Sequence, residues 1–357
     1  MATIPTIPPV GISNLGNTCY INAVLQCIRA CKSVTNIIES VANTLAMENN
    51  KELHLAPELH DIFKIMNGGS GVNPSRFIHF LRTSKLLGSE FNVQHPNDMV
   101  EFFISLQHIL EKQERNVTDA EKTDETDETE EVEILEDTAW ASFLKKHNSP
   151  FTELFNGQFE QTLTCSACNH KLYSYEPFSM WMLDIPINES KKPISLEDCV
   201  KRFMEPEDIN QDQAPNEGWK CDACHVRGQP AYKSLKFKRM PSLLVISLKR
   251  FEITASGYKK NQTAVSMPKY IDSSVNKCRY ELKGVAIHSG VMNGGHCVAM
   301  CQDGDQNWFH YDDGAVSRIE WTDVESSQPY LLFYTITSDQ QELHHHATSV
   351  PDACPSA

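Results

Sequence analysis

Long apolar runs are missing from this 357-residue chain. No stretch comes near the roughly 18 apolar residues of a membrane-spanning helix, so no membrane role is expected. The N-terminus, Met-Ala-Thr-Ile-Pro-Thr-Ile-Pro-Pro, has neither the basic nor the apolar region of a secretory signal, so no export is expected. Excess positive charge is missing too. A net charge of −15 argues against nucleic acid as the main partner. Internal repeats are absent, which excludes a repeat array. With nothing routing the chain to an oxidising compartment, its 12 cysteines read as thiols, metal ligands or a nucleophile, and the cytoplasm or nucleus is the expected location.

What is present reads as a folded protein: 40% hydrophobic residues and five Trp in a length that suits one elaborated domain or two lobes. The charge is uneven. Residues 114–137 hold 12 acidic and 2 basic side chains, a net −10 of the chain's −15, which leaves −5 for the rest. This tract is low in complexity and cannot bury enough apolar surface to offset its ordering entropy, so residues 113–137 read as a disordered insertion. Residues 1–10 read as an extended Pro-rich lead and 337–357 as a disordered tail.

Apolar positions recur at three- and four-residue steps through residues 11–112, for example Met99, Phe102, Phe103, Leu106, Ile109 and Leu110. That half is expected to be helical, with helix resuming at 138–146. From about Phe151 the texture becomes alternating. Strands are expected at 159–165, 178–185, 235–237, 243–251, 280–288, 297–301, 308–312 and 330–336. A short helix is expected to open at Ser195, where Ser195 and Asp198 form a capping-box pattern. The fold class is therefore α+β, helical first and mostly antiparallel β afterwards.

Cys19 sits in Gly11-Ile-Ser-Asn-Leu-Gly-Asn-Thr-Cys-Tyr-Ile-Asn-Ala-Val-Leu-Gln26. A Gly-punctuated turn runs into an amphipathic helix with the thiol at the junction, where the macrodipole and free N–H groups favour thiolate. Ile21, Val24, Leu25 and Ile28 share one face, which is expected to be the buried one. Alone, such a thiol is more often an inert packed cysteine, so a base must be sought. Asn293-Gly-Gly-His-Cys-Val-Ala-Met-Cys301 offers His296, with glycines beside it that let a substrate backbone pass. Trp308-Phe-His-Tyr-Asp-Asp-Gly offers carboxylates at the end of a strand, within reach of an imidazole on an antiparallel neighbour. Singly, these read as a surface histidine and a turn. The order Cys, His, Asp is that of papain-like thiol hydrolases.

Cys165-Ser-Ala-Cys168 and Cys221-Asp-Ala-Cys224 are two CxxC knuckles, 52 residues apart. Two such turns complete a closed tetrahedral S₄ site, so one structural Zn²⁺ is expected, with the knuckles capping two hairpins whose tips meet.

These segments resemble the ubiquitin-specific proteases. Gly11 to Asn22 looks like that family's Cys box. Gly294-Gly-His-Cys-Val-Ala with Trp308 and Tyr311-Asp-Asp-Gly-Ala-Val looks like its His box. Asp98-Met-Val-Glu-Phe-Phe, Leu244-Val-Ile-Ser-Leu-Lys-Arg-Phe251 and Tyr330-Leu-Leu-Phe-Tyr are similar to three further motifs, and the knuckles fit its zinc-bearing fingers. The likeness is collinear over residues 11–336. It implies a papain-like fold with helical thumb, β palm and β fingers at about 155–240, and cleavage after the C-terminal Gly-Gly of ubiquitin by a monomer. It implies Cys19 as nucleophile, His296 as base and later acid, Asp312 as orienter with Asp313 the competing acid, and Asn14 as oxyanion donor. Asp98 and Glu101 would face the basic tail of ubiquitin, and Gly294 and Gly295 would pass its Gly-Gly. Two departures stand out: Pro96-Asn97 replaces a pair of glutamines, and Cys297 replaces a tyrosine.

Val132-Glu-Ile-Leu135 with acidic flanks resembles a SUMO-interacting motif; the competing reading is an apolar stretch that restarts the next helix. Three other functions remain open at this point: a protease for a ubiquitin-like modifier, a catalytically silent ubiquitin-binding module and a zinc-organised scaffold.

Overall fold

The structure, a computed structural model, describes residues 8–48, 53–69, 71–88, 95, 97–113, 136–186, 193–209, 218–228, 230–254, 257–291 and 294–337. Most of the acidic tract, the segment 132–135, Pro96 and both chain ends lie outside the described residues.

Five helices open the chain: α1 (Cys19–Ala30), α2 (Lys32–Met47), α3 (Leu55–Asn67), α4 (Ser75–Ser84) and α5 (Met99–Gln113). Then come α6 (Glu136–Lys146), α7 (Thr152–Phe155), β1 (Gly157–Cys165), β2 (Lys171–Phe178), β3 (Trp181–Asp184), β4 (Ile194–Ser195) and α8 (Leu196–Met204). The strands β5 (Glu207–Asp208), β6 (Ala231–Arg239), β7 (Leu243–Lys249), β8 (Phe251–Thr254), β9 (Gly257–Lys260), β10 (Val265–Ser266) and β11 (Tyr270–Asp272) follow. The chain finishes with β12 (Arg279–Val291), β13 (Gly294–Gln302), β14 (Trp308–Asp312), β15 (Ala315–Ile319), α9 (Trp321–Glu325) and β16 (Leu331–Ile336).

One large sheet, ordered β15-β14-β13-β12-β16-β7-β3 with β11 beside β12, forms the platform. Its neighbours pair antiparallel except for β3 on β7. Alternation along its central strands feeds two separate cores. Leu243, Val245, Leu331 and Phe333 face the N-terminal helices; Leu244, Ile246, Leu332 and Tyr334 face a second core with Trp181, Leu196 and Trp308. Covering both faces explains why β7 is apolar at four consecutive positions, Leu243 to Ile246, rather than at alternate ones. A four-stranded sheet, β2-β1-β6-β5, projects as a separate ribbon.

Several local expectations hold. Ser195 caps α8 reciprocally with Asp198: its Oγ accepts from the Asp198 N–H at 3.0 Å while an Asp198 oxygen accepts from the Ser195 N–H at 3.1 Å. The strand expected over 243–251 is broken at Arg250. That guanidinium is buried and donates to the carbonyls of Pro329, Asn261 and Thr263, so β8 peels away to pair with β9.

The helix carrying Cys19 differs from the amphipathic expectation: all twelve residues of α1 are buried. Its polar stripe is covered by the extended N-terminal segment. Asn22, Gln26 and Arg29 lie one turn apart and donate to the carbonyls of Ile12, Val10 and Pro8 in turn, at 3.2, 2.7 and 2.8 Å. Alternate carbonyls of an extended chain meet helical steps of four and three, so each of the three side chains finds a backbone acceptor. This fixes the register of residues 8–13 against α1, and with it the turn that delivers Cys19.

Candidate active site

The turn before Cys19 is organised by one side chain. The Asn14 Oδ1 accepts from the backbone N–H of Gly16 and Thr18 and from the Thr18 hydroxyl, at 2.9, 3.2 and 3.1 Å. Gly16 and Asn17 take positive φ of 91° and 57°, which closes the turn and aims the chain into α1. The Thr18 side chain makes no cap bond at the helix start, and the first turn holds no acidic residue. No side chain therefore offsets the positive helix end at which Cys19 stands.

Across from α1, β13 brings His296 and Cys297, and β14 brings Asp312. The register Ala299↔Tyr311 and Met300↔His310 puts His296 and Asp312 diagonally on one face. The His296 Nε2 lies 2.6 Å from the Asp312 Oδ1, so Nδ1 is the nitrogen left for the thiol. Asp312 holds the imidazole above its ordinary pKa, with the neighbouring Cys19 adding to the effect and burial opposing it. The Cys19 thiol is lowered to about 6. The largest cause is a hydrogen bond from the Cys297 thiol; the Cys297 backbone N–H and then His296 add to it, against the cost of burial. Cys19 and His296 thus share a thiolate–imidazolium state from about pH 6 to above the usual imidazole range. Iodoacetamide labelling of Cys19 is expected to rise with an apparent pKa of about 6, where an ordinary thiol titrates near ~8.5. Labelling that follows the ordinary thiol curve would contradict this arrangement.

The acids of the Asp-Asp pair have separate partners. Asp312, the last residue of β14, faces His296. Asp313, in the turn to β15 with φ +50°, points back towards α1. Its two oxygens accept from the Asn22 Nδ2 at 2.7 Å and the Asn14 Nδ2 at 2.9 Å. Its carbonyl accepts from the Ile12 N–H, and a Cβ on Gly11 would lie 2.5 Å from the Gly314 carbonyl oxygen. So the turn and the Cys19 segment are pressed together, which accounts for Gly11. Nothing in the motif spacing points to Asn22; the signal is that it opens the polar stripe of α1, one turn beyond Thr18.

The two glycines beside His296 behave differently. Gly294 opens onto free space, whereas a Cβ on Gly295 would lie 2.2 Å from the His288 Nε2. Gly295 is therefore required by the close packing of His288 and of the Ser289 carbonyl, 2.4 Å from such a Cβ, a demand of the fold that comes in addition to any passage for a substrate. His288 lies opposite Cys297 in the β12–β13 ladder, beside Phe251 and Tyr330, and Lys260 donates to its carbonyl at 2.6 Å.

Asp98 acts first as a helix cap. One oxygen accepts from the Val100 N–H at 2.7 Å and the other from the Tyr330 hydroxyl at 2.5 Å. Glu101, one turn on, is exposed. Asn97 donates to the Tyr20 hydroxyl at 3.1 Å, tying the start of α5 to α1.

Far from this cleft, the four knuckle cysteines converge on the projecting ribbon. Their sulfurs lie within 4.8 Å of one another, with Cys165–Cys224 at 3.9 Å and Cys168–Cys221 at 3.7 Å. Zn–S bonds of ~2.3 Å in a tetrahedron need sulfur separations of about 3.8 Å, so the set fits a closed four-thiolate metal site. Both knuckles share one backbone form: the residue after the second cysteine, Asn169 or His225, has positive φ and donates to the first cysteine's carbonyl. The first knuckle is the β1–β2 turn. The second differs from expectation, since an isolated bridge, Lys220↔Arg227, closes it rather than a pair of strands; a bound metal would do the work of the missing ladder.

A family model described as ubiquitin carboxyl-terminal hydrolase matches residues 10–334. The chain belongs to the ubiquitin carboxyl-terminal hydrolase family. Ubiquitin carboxyl-terminal hydrolase 4 of Saccharomyces cerevisiae is 29% identical over 370 residues, covering 91% of this chain and 39% of that relative. Ubiquitin carboxyl-terminal hydrolase 2 of Homo sapiens is 27% identical, covering 92% of this chain and 55% of the relative. The chain thus spans roughly two fifths to just over half of these hydrolases' length. Among solved structures, a yeast SAGA DUB module carrying an Sgf73 mutant is 25% identical with a TM-score of 0.69, over 92% of this chain and 68% of that one. The SAGA Ubp8/Sgf11/Sus1/Sgf73 DUB module bound to ubiquitin aldehyde has a TM-score of 0.67 at 24% identity, over 92% and 70%. The α+β hydrolase fold with its projecting β ribbon is that of this family.

Proposed function

We propose that this chain is a deubiquitinating thiol hydrolase that cleaves the peptide or isopeptide bond after the C-terminal Gly-Gly of ubiquitin. The observation that carries the reading is the Cys19–His296–Asp312 array, within a hydrolase-family fold, beside the open side of Gly294. The Cys19 thiolate attacks the scissile carbonyl. The Cys19 backbone N–H and the Asn14 amide donate to the oxyanion that forms; a primary amide has two hydrogens, so the bond to Asp313 leaves one for this. His296, charged by proton transfer and steadied by Asp312, gives its proton to the leaving amine. A thioester remains, and His296, now neutral, takes a proton from the water that hydrolyses it. Asp98 and Glu101, at the N-terminal end of α5, supply carboxylate character for the basic ubiquitin tail.

A ubiquitin bearing a C-terminal electrophile tests this. Wild type is expected to form a covalent adduct, and Cys19→Ser is expected to form none. No adduct with ubiquitin but one with a ubiquitin-like probe would move the substrate to that modifier.

The thiolate set on the ribbon is assigned to zinc, which when bound would tie the two knuckles together and take no part in the reaction, having no open position. About one zinc per chain is expected by elemental analysis. Cys168→Ser is expected to lower metal content and solubility, and freshly purified protein without zinc would overturn the assignment. The cytoplasm or nucleus is the proposed place of work, where thiolate ligands and a reactive Cys19 stay reduced.

A further inference from the structure

We propose that Lys260 is a positioning residue for the base His296: it holds His288 as the neutral Nε2–H tautomer, and the His288 ring in turn braces the strand end that carries His296. This deepens the reading of Cys19, His296 and Asp312 as the reacting array and rests on it.

His296 stands near the open end of the β12–β13 ladder. Ser289 is its partner across the ladder, and beyond it Gly290 faces Gly295 and Val291 faces Gly294. The two residues before the imidazole are thus glycines, which have no side chain to pack and are the least restrained backbone positions. His288, opposite Cys297, supplies the bulk they lack: its Nε2 would lie 2.2 Å from a Cβ on Gly295, so the ring rests against the Gly295 Cα.

The ring is held on its other sides as well. Phe251 meets it edge-on with centroids 5.3 Å apart, and Tyr330 stands at 6.4 Å, its own hydroxyl donating to Asp98. These ring contacts do not choose between the two nitrogens; Lys260 does. Its Nζ lies 3.2 Å from the His288 Nδ1 and donates to the His288 carbonyl at 2.6 Å. An ammonium has only hydrogens to give, so Nδ1 accepts and the ring proton sits on Nε2, the nitrogen against Gly295. The same ammonium lies 5.7 Å from the centre of the Phe251 ring. Lys260 thereby ties the β8–β9 hairpin, a two-stranded sheet of its own, to β12 beside the base. The titratable groups around the ring are Lys260 on β9, Asp98 before α5, Cys297 on β13 and Tyr330 before β16. Burial and then Lys260 lower the His288 pKa, with Asp98 opposing, while Asp312 raises that of His296. Two histidines on paired strands are so kept in opposite charge states, one to carry the proton and one to hold the backbone still.

Nitrogen NMR of histidine-labelled protein, with the His288 signals assigned by their loss in His288→Phe, reads the tautomer without any substrate. Wild type and Lys260→Arg are expected to show His288 protonated at Nε2 alone, and Lys260→Met a mixture of both tautomers. In Lys260→Met, kcat on a ubiquitin conjugate is expected to fall about 10-fold to 10²-fold, the scale of a misplaced reacting group, and iodoacetamide labelling of Cys19 to slow with it; Lys260→Arg restores both. In a His288→Phe background Lys260→Met is expected to have no further effect, because Lys260 acts through the ring. A His288 tautomer unchanged in Lys260→Met, or a Lys260→Met loss that persists in full beside His288→Phe, overturns the proposal and leaves Lys260 a tether of the His288 carbonyl only. Wild type that processes no ubiquitin conjugate would instead count against the functional reading, and the tautomer and the Cys19 labelling would still decide the part of Lys260.

Discussion

Cys19→Ala is expected to lower turnover of ubiquitin conjugates by about 10⁴-fold or more, to the background of the assay, because it removes the atom that forms the covalent intermediate. The base and the oxyanion donors have nothing to assist once the sulfur is gone, so the loss falls on the chemical step. Binding is another matter. The groups that would hold ubiquitin, the α5 carboxylates and the open side of Gly294, do not involve the sulfur, so a ubiquitin conjugate is expected to bind the variant about as tightly as wild type. A panel of ubiquitin linkages and ubiquitin-like conjugates, followed by gel and run beside Cys19→Ala, checks both halves. Cleavage surviving in the variant on any conjugate would place the nucleophile elsewhere. Wild type that is inactive on every conjugate, yet binds ubiquitin, would make the chain a silent binding module.

Short-range chemistry was the legible part of this protein. The capping box at Ser195, the helical step of α5 and the knuckle pairs depend on residues a few positions apart, and spacing reports such contacts directly. The order of Cys19, His296 and the two acids was also readable, because each sits on a recognisable local element. The division of labour between the acids was not. Asp313 reaches Asn22 and Asn14 across separations of 291 and 299 residues, and adjacent carboxylates look alike until the strand ends at one of them. Full burial of α1 was hidden for a related reason: Asn22, Gln26 and Arg29 look like a solvated stripe until the carbonyls of Ile12, Val10 and Pro8 are laid over them. Gly295 shows a third kind of limit, since one residue type serves a substrate channel and a histidine packed from behind equally well.

That division of labour gives Asp312→Asn and Asp313→Asn different signatures. Asp312→Asn removes the group that chiefly keeps the imidazole charged, so His296 loses its proton at lower pH and its ring orientation loosens. A drop in kcat/KM of about 10²–10⁴-fold is expected, together with weaker iodoacetamide labelling of Cys19 as its imidazolium partner fades. The labelling should not collapse, because the Cys297 thiol is a larger support of the Cys19 thiolate than His296 is. Asp313→Asn leaves the His296–Asp312 contact in place but keeps one acceptor oxygen where Asp313 has two, so the Asn14 and Asn22 amides, held at 2.9 and 2.7 Å, can no longer both be held and the Asn14 amide loses its fixed position. A misplaced oxyanion donor costs about 10²–10³-fold in kcat with the thiol's titration unmoved. Turnover and the pH profile of labelling, measured on both variants, separate the two roles. A labelling profile shifted equally by both substitutions would show that the acids act on one imidazole together, and that the contacts of Asp313 with Asn14 and Asn22 do not define its part in the reaction.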